Sequence, residues 1–221
     1  MKKLVNLIMM VFVVSAMSAK NNPETTNSGI SIDKVYLLHQ KIGCTELSFD
    51  AFRTAYAAQQ TMISKFDNDS ILTVVDFSKP STEERFFVID IKNGNLLIKT
   101  LVAHGRNSGD LYAERFSNTV SSLQSSLGLF RTGTTYVGKH GNSLLLDGLQ
   151  KGLNDKARER AVVIHSADYV SPVYAKNNGR LGRSFGCPAL SNDMNDKVIS
   201  IIKNGSCLFL YHPSHNLLAD K

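Results

Sequence analysis

The middle of the chain contains three short apolar runs separated by turn residues, and this pattern constrains the fold more than any other. The runs "ILTVVDF" at 71–77 and "RFFVIDI" at 85–91 are rich in β-branched and aromatic residues. "NGN" at 93–95 then separates the second run from "LLIKTLVAH" at 96–104. Asn-Gly between two apolar runs is a strong hairpin signal. The sequence therefore predicts that this region forms a sheet.

More strand-like runs follow further along the chain. Short ones lie at 134–138 and 143–146, "AVVIH" ends on His165, and "CLFLYH" at 207–212 is almost wholly apolar. The polar segment at 105–128 is long for a plain connection, which favours a functional loop. Together these runs predict a mainly β fold.

Helical periodicity flanks the β-rich region. "IDKVYLLHQKIG" at 32–43 predicts a short helix, and Ser48 can cap a stronger one whose aromatic residues recur at helical spacing through 49–66. Ser191 precedes a late amphipathic helix that ends near Gly205. "NDKARER" at 154–160 predicts one more short helix with a solvated charged face.

The N-terminus resembles an export signal. Lys2 and Lys3 precede an apolar run at 4–14, and small residues follow. The run is about half of the ~20 residues that a membrane-spanning helix needs. We therefore expect a signal peptide at 1–18, a disordered lead-in at 19–30, export to the periplasm or cell envelope, and no stable membrane insertion.

Charge excludes some partners. Without Lys2 and Lys3 the net charge falls from +6 to +4, a mild excess. No run of basic residues indicates nucleic-acid binding, and nothing in the sequence specifies an oligomeric state. A weakly basic exported protein suits an anionic surface such as a cell wall.

The chain has three cysteines, Cys44, Cys187 and Cys207. An odd number in an exported protein leaves at least one thiol unpaired within the chain. A disulfide between Cys44 and Cys207 would leave Cys187 free. Cys207 is more simply interpreted as a core residue of a buried strand.

Cys187 lies in a glycine-rich loop, "GRLGRSFGCPAL" at 179–190, and His165 ends an apolar strand. The thiolate is the nucleophilic form of cysteine, and an imidazole nearby can lower the thiol pKa and later return a proton to a leaving amine. Gly186 would be needed for function if the loop requires a positive φ at that position, and it would otherwise be an ordinary turn residue. On these grounds alone a catalytic pair and an inert pair remain alternatives.

"VVIHSADYV" followed by "GRSFGCPAL" resembles the L,D-transpeptidase catalytic domains of the YkuD type, in which a strand-end His precedes a Ser/Thr-His-Gly-Cys box. Ser184, Gly186 and Cys187 match the box, whereas Phe185 stands in place of its usual His. The divergent murein L,D-transpeptidase-like branch has an aromatic residue there. It also shares "VAHGRNSG", "SSLGLFRTG" and "YVGKHGNSLLLDGL" with this chain. The resemblance covers residues 70–212.

The resemblance implies a β-barrel or sandwich enzyme that acts on peptidoglycan stem peptides without a cofactor or metal. Cys187 would be the nucleophile and His165 the general base and then acid. The backbone amides of Gly186 and Cys187 would form the oxyanion hole, and Ser166 would orient the site. Ser184 and Phe185 would lie beside the substrate.

Three further residues are candidates for the cleft. Arg183 could hold a substrate carboxylate bidentately, or it could brace the loop through a salt bridge. His104 and His140 lie in segments shared with the family and could line the cleft or be satisfied loop histidines. "HPSH" at 212–215 matches no zinc peptidase spacing.

We therefore predict a helical extension at 31–66, a catalytic domain at 70–212 and a tail at 213–221. Hydrolysis of the same peptides, as by an L,D-carboxypeptidase or amidase, is the nearest alternative to transpeptidation. A non-catalytic wall-binding protein is the other. A depressed Cys187 pKa would favour an enzyme, whereas an ordinary one would favour the binding protein.

Overall fold

The computed structural model describes residues 31–214 and contains eight strands and four α-helices. The strands are β1 Asn68–Asp76, β2 Phe86–Asp90, β3 Asn95–Thr100, β4 Gly128–Gly138, β5 Gly141–Gly148, β6 Val163–Ser166, β7 Ala189–Leu190 and β8 Ser206–Tyr211. The helices are α1 Ile32–Ile42, α2 Phe49–Thr61, α3 Pro172–Asn178 and α4 Asn192–Ile202. A single 3-10 turn, Ile63–Lys65, follows α2.

All eight strands belong to one sheet in the order β3-β2-β1-β8-β4-β5-β6-β7. The last strand of the chain, β8, lies near the centre, parallel to β1 and antiparallel to β4. Beyond β3, Ala103 pairs with Ala189 of β7, and Gly105 pairs with Ser184. These bridges join the two ends of the sheet, so the sheet is nearly closed and the segment around Cys187 is held against the segment after β3.

The sheet is covered on both faces. α1 and α2 pack on one face, where Phe52, Leu72 and Phe209 are fully buried in one apolar cluster. α4 packs on the other face and buries Val198 and Ile202. Ser48 caps α2 as predicted, since its Oγ accepts a hydrogen bond from the amide of Ala51 at 3.2 Å.

The mainly β fold with N-terminal helices and a late helix is confirmed, as is the hairpin across 93–95, where β2 and β3 pair antiparallel. β4 and β5 are longer than predicted. The predicted helix at 154–160 is wrong, because that segment is a series of turns. The side chain of Asn154 donates to the carbonyls of Leu127 and Leu129, and it thereby ties the segment to β4.

The expected signal peptide and lead-in at 1–30 lie outside the described residues, and so does the tail from residue 215. Within residues 31–214 no helix is long and apolar enough to cross a membrane. The helices of 31–66 share an apolar cluster with β1 and β8. The boundary between a helical extension and a catalytic domain therefore stays a prediction.

Candidate active site

The pairing of β6 with β7 brings His165 and Cys187 to one place. The two strands are parallel and His165 lies opposite Ala189, two residues after Cys187. Both side chains line a cleft of about 530 Å³. The other residues that line it are Tyr136, Gly138, Lys139, His140, Ser143, Arg160, Ala161, Val163, Tyr169, Arg183, Ser184 and Phe185.

His165 is held in one orientation and one tautomer. Its Nδ1 lies 2.8 Å from the carbonyl oxygen of Ser166, and because a carbonyl can only accept, Nδ1 carries the proton. Nε2 of the neutral ring is therefore the basic nitrogen. Burial is the largest influence on the His165 pKa and lowers it; the hydrogen bond to Ser166 opposes this in part, and the charges of His140 and Lys139 add to the lowering. The ring is thus neutral at physiological pH, as a general base must be.

Ser166 and His140 complete the histidine side of the cleft. The Ser166 hydroxyl donates to the carbonyl oxygen of His140 at 2.8 Å, which ties the β4–β5 turn to β6. The rings of His140 and His165 stack with their centroids 4.6 Å apart. The structure therefore places both residues beside the imidazole.

Cys187 is a neutral thiol at rest. Its Sγ lies 3.6 Å from the carbonyl oxygen of Ala161, to which it donates. Burial raises the Cys187 pKa, and a hydrogen bond from Val163 and the charge of Arg160 oppose that effect only in part. Among the described residues, no hydrogen bond joins Sγ to His165. A depressed thiol pKa, which would favour an enzyme over a wall-binding protein, is therefore not found in the resting site, because burial outweighs the nearby charge.

A tight turn presents the cysteine. The Ser184 hydroxyl donates to the carbonyl oxygen of Cys187 at 2.6 Å and accepts from the amide of Gly186 at 3.1 Å. Gly186 has a φ of 124°, and a Cβ there would lie 2.8 Å from the carbonyl oxygen of Gln124. Only glycine fits this turn without strain.

The hydrogen bonds of this turn correct the predicted oxyanion hole. The amide of Gly186 is already bound to Ser184, so it is not free to receive a substrate oxygen. Of the two predicted amides, only that of Cys187 remains as a candidate donor. Ser184 shapes the turn and does not offer its hydroxyl to the cleft.

Arg183 braces a loop. Its Nη1 donates to Asp110 Oδ1 at 2.6 Å and to the carbonyl oxygen of Gly109 at 3.1 Å. The predicted role as a clamp for a substrate carboxylate is therefore not supported, because a carboxylate of the protein already occupies the guanidinium. The salt bridge that was the alternative interpretation is the one observed.

His104 lies outside the cleft, so the prediction that it lines the site is wrong. The ring is buried, its Nδ1 accepts from Nη2 of Arg85 at 2.8 Å, and its Nε2 faces the carbonyl oxygen of Gly109 at 3.3 Å. Burial and the charge of Arg85 lower the His104 pKa to about 3. His104 is thus a satisfied core histidine, and its backbone carbonyl accepts from the amide of Ser184.

Phe185 lies on the rim of the cleft and its side chain is 66% exposed. A phenyl ring offers no proton donor or acceptor to the reaction. It instead presents an apolar surface at the mouth, next to the thiol.

Arg160 belongs to the cleft, although the sequence pattern around it predicted a solvated helix face. Arg160 is half buried and lines the cleft. It lies in the turn that leads into β6, five residues before His165. Its neighbour Arg158 pairs with Asp147 outside the cleft. The sequence does not show which of the two arginine side chains enters the cleft, because the orientation of each side chain depends on an irregular turn.

The three cysteines are all free thiols, so the possible Cys44–Cys207 disulfide is not formed. Cys207 is fully buried in β8, in agreement with the alternative interpretation as a core residue. Among residues 31–214 no group of three or more His, Cys, Asp or Glu side chains could hold a metal ion.

Several solved structures are similar to this chain at low identity. An L,D-transpeptidase from Mycobacterium smegmatis is 16% identical with a TM-score of 0.40, over 65% of this chain and 59% of that one. One from Mycobacterium tuberculosis is 12% identical with a TM-score of 0.42, over 65% and 58%. The helical cell shape determining protein of Campylobacter jejuni is 15% identical with a TM-score of 0.40, over 66% and 49%. This chain thus spans less than two thirds of these proteins.

A comparison with curated proteins finds no match. The profile of the L,D-transpeptidase catalytic domain matches residues 44–211, which include the cysteine turn, the strand that ends near His165 and most of the sheet. A match over so much of the chain, in a mainly β structure, identifies the protein as a member of the L,D-transpeptidase catalytic domain family.

Proposed function

We propose that this protein is an exported cysteine acyltransferase that forms L,D-crosslinks between peptidoglycan stem peptides. The observation that carries the proposal is the shared cleft of Cys187 and His165, in which the imidazole is neutral and has its basic Nε2 unoccupied by the backbone. Membership of the L,D-transpeptidase family supports the choice of a peptide substrate from the cell wall.

The acylation step starts from a neutral pair. Nε2 of His165 takes the proton of Cys187 as Sγ attacks the carbonyl carbon of an L-residue linked to a D-residue. The carbonyl oxygen becomes an oxyanion, for which the Cys187 amide is the candidate donor. The C–N bond then breaks, the imidazolium gives its proton to the departing D-amino acid, and a thioester on Cys187 remains.

The transfer step reverses the roles. The amine of a second stem peptide attacks the thioester carbonyl and loses a proton to His165. The C–S bond breaks, Sγ regains a proton, and a new amide joins the two stems. Water in place of the amine would give a shortened stem, as in the alternative of an L,D-carboxypeptidase.

The shape of the cleft favours a peptide acceptor. Phe185, which is exposed, and Tyr136, which is 44% exposed, put two aromatic surfaces at the opening. Apolar surface at the mouth disfavours water near the thioester, which supports transfer to a peptide amine over hydrolysis.

Purified disaccharide-tetrapeptide muropeptides test the proposal. We expect the mature protein to convert them to crosslinked dimers, measured by liquid chromatography and mass spectrometry. Shortened stems without dimers would instead establish hydrolysis. No product in either form, with a folded protein, would contradict an acyltransfer function and favour the wall-binding alternative.

The pH dependence of turnover follows from the pKa of His165. The free base is the active form, and burial lowers its pKa below the usual 6.5. Protonation of the base therefore begins at a lower pH than for an exposed histidine, and activity should persist below pH ~6.5. The acid limb of kcat/KM against pH measures this. An acid limb above that value would show that His165 is not the base in its observed environment.

A further inference from the structure

Arg160 differs from its neighbours in having no acidic partner. Arg158, Arg180 and Arg183 each form a salt bridge with an aspartate. Among the described residues no carboxylate lies within salt-bridge distance of Arg160. A half-buried guanidinium without a counter-ion is costly, because burial disfavours its charge.

The contacts of Arg160 are all with neutral oxygens. Two hydroxyls and two carbonyls of the 105–128 loop accept from it. The acceptors are Ser117 O and Ser126 Oγ on Nη1, and Ser122 Oγ at 3.2 Å and Gln124 O on Nη2. These bonds fix the position of the guanidinium, but they do not neutralise its charge.

The same arginine lies against the cysteine turn. Its Nη2 is 3.3 Å from the position that a Cβ on Gly186 would take, and Gly186 directly precedes Cys187. The next residue, Ala161, provides the carbonyl oxygen that accepts from Sγ. Arg160 and Cys187 also line the same cleft. A fixed positive charge therefore lies against the turn that carries the sulfur, in the same cleft.

We propose that Arg160 is the counter-charge for the sulfur anion that forms as Cys187 passes its proton to His165. The inference rests on the proposed function, in which the thiol is neutral at rest and becomes negative only during attack and departure of the acyl group. Proton transfer from Sγ to Nε2 creates one negative and one positive charge. The imidazole holds the proton, and the arginine stabilises the negative charge on the sulfur through its own charge without taking up a proton.

This role explains why the arginine is held by neutral groups. An aspartate partner would cancel its field at the sulfur, whereas serine hydroxyls and carbonyls orient it and leave its charge available. The pKa directions agree with this geometry, since the charge of Arg160 lowers the pKa of Cys187 against the effect of burial.

Alkylation of Cys187 by iodoacetamide as a function of pH tests the inference without any peptidoglycan substrate. Peptide mass mapping separates modification of Cys187 from that of the other two cysteines. In Arg160→Gln we expect the rate at pH ~7 to fall about tenfold and the midpoint to move to higher pH, because the thiolate fraction is smaller. Arg160→Lys keeps the charge and should retain most of the wild-type midpoint.

Arg158→Gln is the matched control, since it removes an arginine two residues away that lies outside the cleft. Its alkylation profile should equal that of the wild type. An unchanged midpoint in Arg160→Gln, or equal shifts in the Gln and Lys variants, would overturn the proposal and leave only a loop-bracing role. Arg160→Met provides a second neutral variant if Arg160→Gln fails to fold.

The alkylation experiment and the muropeptide experiment test the two proposals independently. If no muropeptide is converted but the Arg160 variants shift the midpoint as expected, then the substrate is wrong and the electrostatic role stands. If dimers form but the midpoint does not move, then the acyltransfer function stands and Arg160 is structural.

Discussion

Replacement of Cys187 by alanine should abolish conversion of muropeptides while the protein stays folded. The sulfur is the only group in the cleft that the proposed mechanism uses as a nucleophile, so its loss removes the covalent pathway. Folding should survive because Sγ makes only weak hydrogen bonds with the backbone, donating to Ala161 at 3.6 Å and accepting from Val163. Thermal unfolding and the muropeptide assay measure the two effects.

Cys44→Ala is the matched control for Cys187→Ala. Cys44 packs in the apolar cluster beneath α1 and α2, on the face of the sheet that those helices cover. Its truncation should lower the free energy of unfolding by about 1 kcal/mol and leave turnover in place. Full activity of Cys187→Ala would refute the mechanism, whatever the control shows.

Replacement of His165 by asparagine should lower kcat by roughly 10²–10⁴-fold, the range that general-base catalysis contributes. Asparagine keeps a polar side chain of similar reach, but it has no nitrogen that can take the thiol proton. Because Cys187 is neutral at rest, the variant has no preformed thiolate to rely on at neutral pH. The residual rate should therefore rise with pH as the thiol ionises without help.

His212→Asn is the control for the histidine variant. Its ring packs near Phe116, away from the cleft. We expect it to keep the wild-type rate and the wild-type pH profile. A His165→Asn enzyme with wild-type kcat at pH ~7 would show that another group accepts the thiol proton.

Sequence patterns predicted the local elements well, because strands, hairpins and helix caps depend on neighbouring residues. The β2–β3 hairpin follows from the Asn-Gly pair at 93–94, and α2 begins at its Ser48 cap as expected. The position of β8 could not be predicted. Its insertion between β1 and β4 depends on pairings between residues far apart in the sequence, more than a hundred positions for β1, and apolar periodicity carries no information on partners.

At the site, too, local motifs could be recognised in the sequence, whereas contacts between distant segments could not. The resemblance to the family motif identified Cys187 and His165 as a candidate pair, and both side chains line one cleft in the structure. The sequence left a substrate clamp and a salt bridge as alternatives for Arg183 and gave Arg160 only a solvated face, whereas the structure pairs Arg183 with Asp110 and places Arg160 along the cleft. Whether Arg160 points to solvent or into the cleft depends on how the 105–128 loop folds back, and nothing in the sequence around Arg160 encodes that.

The most direct test of the central claim is the mass of the enzyme during turnover. The mature protein is mixed with a tetrapeptide muropeptide, quenched in acid within seconds and analysed by intact-protein and peptide mass spectrometry. The mechanism predicts an adduct with the mass of the donor minus its terminal D-amino acid, located on the peptide that contains Cys187 and absent from Cys187→Ala. Product formation without any adduct on Cys187, or with an adduct on another residue, would contradict acyl transfer through this thiol.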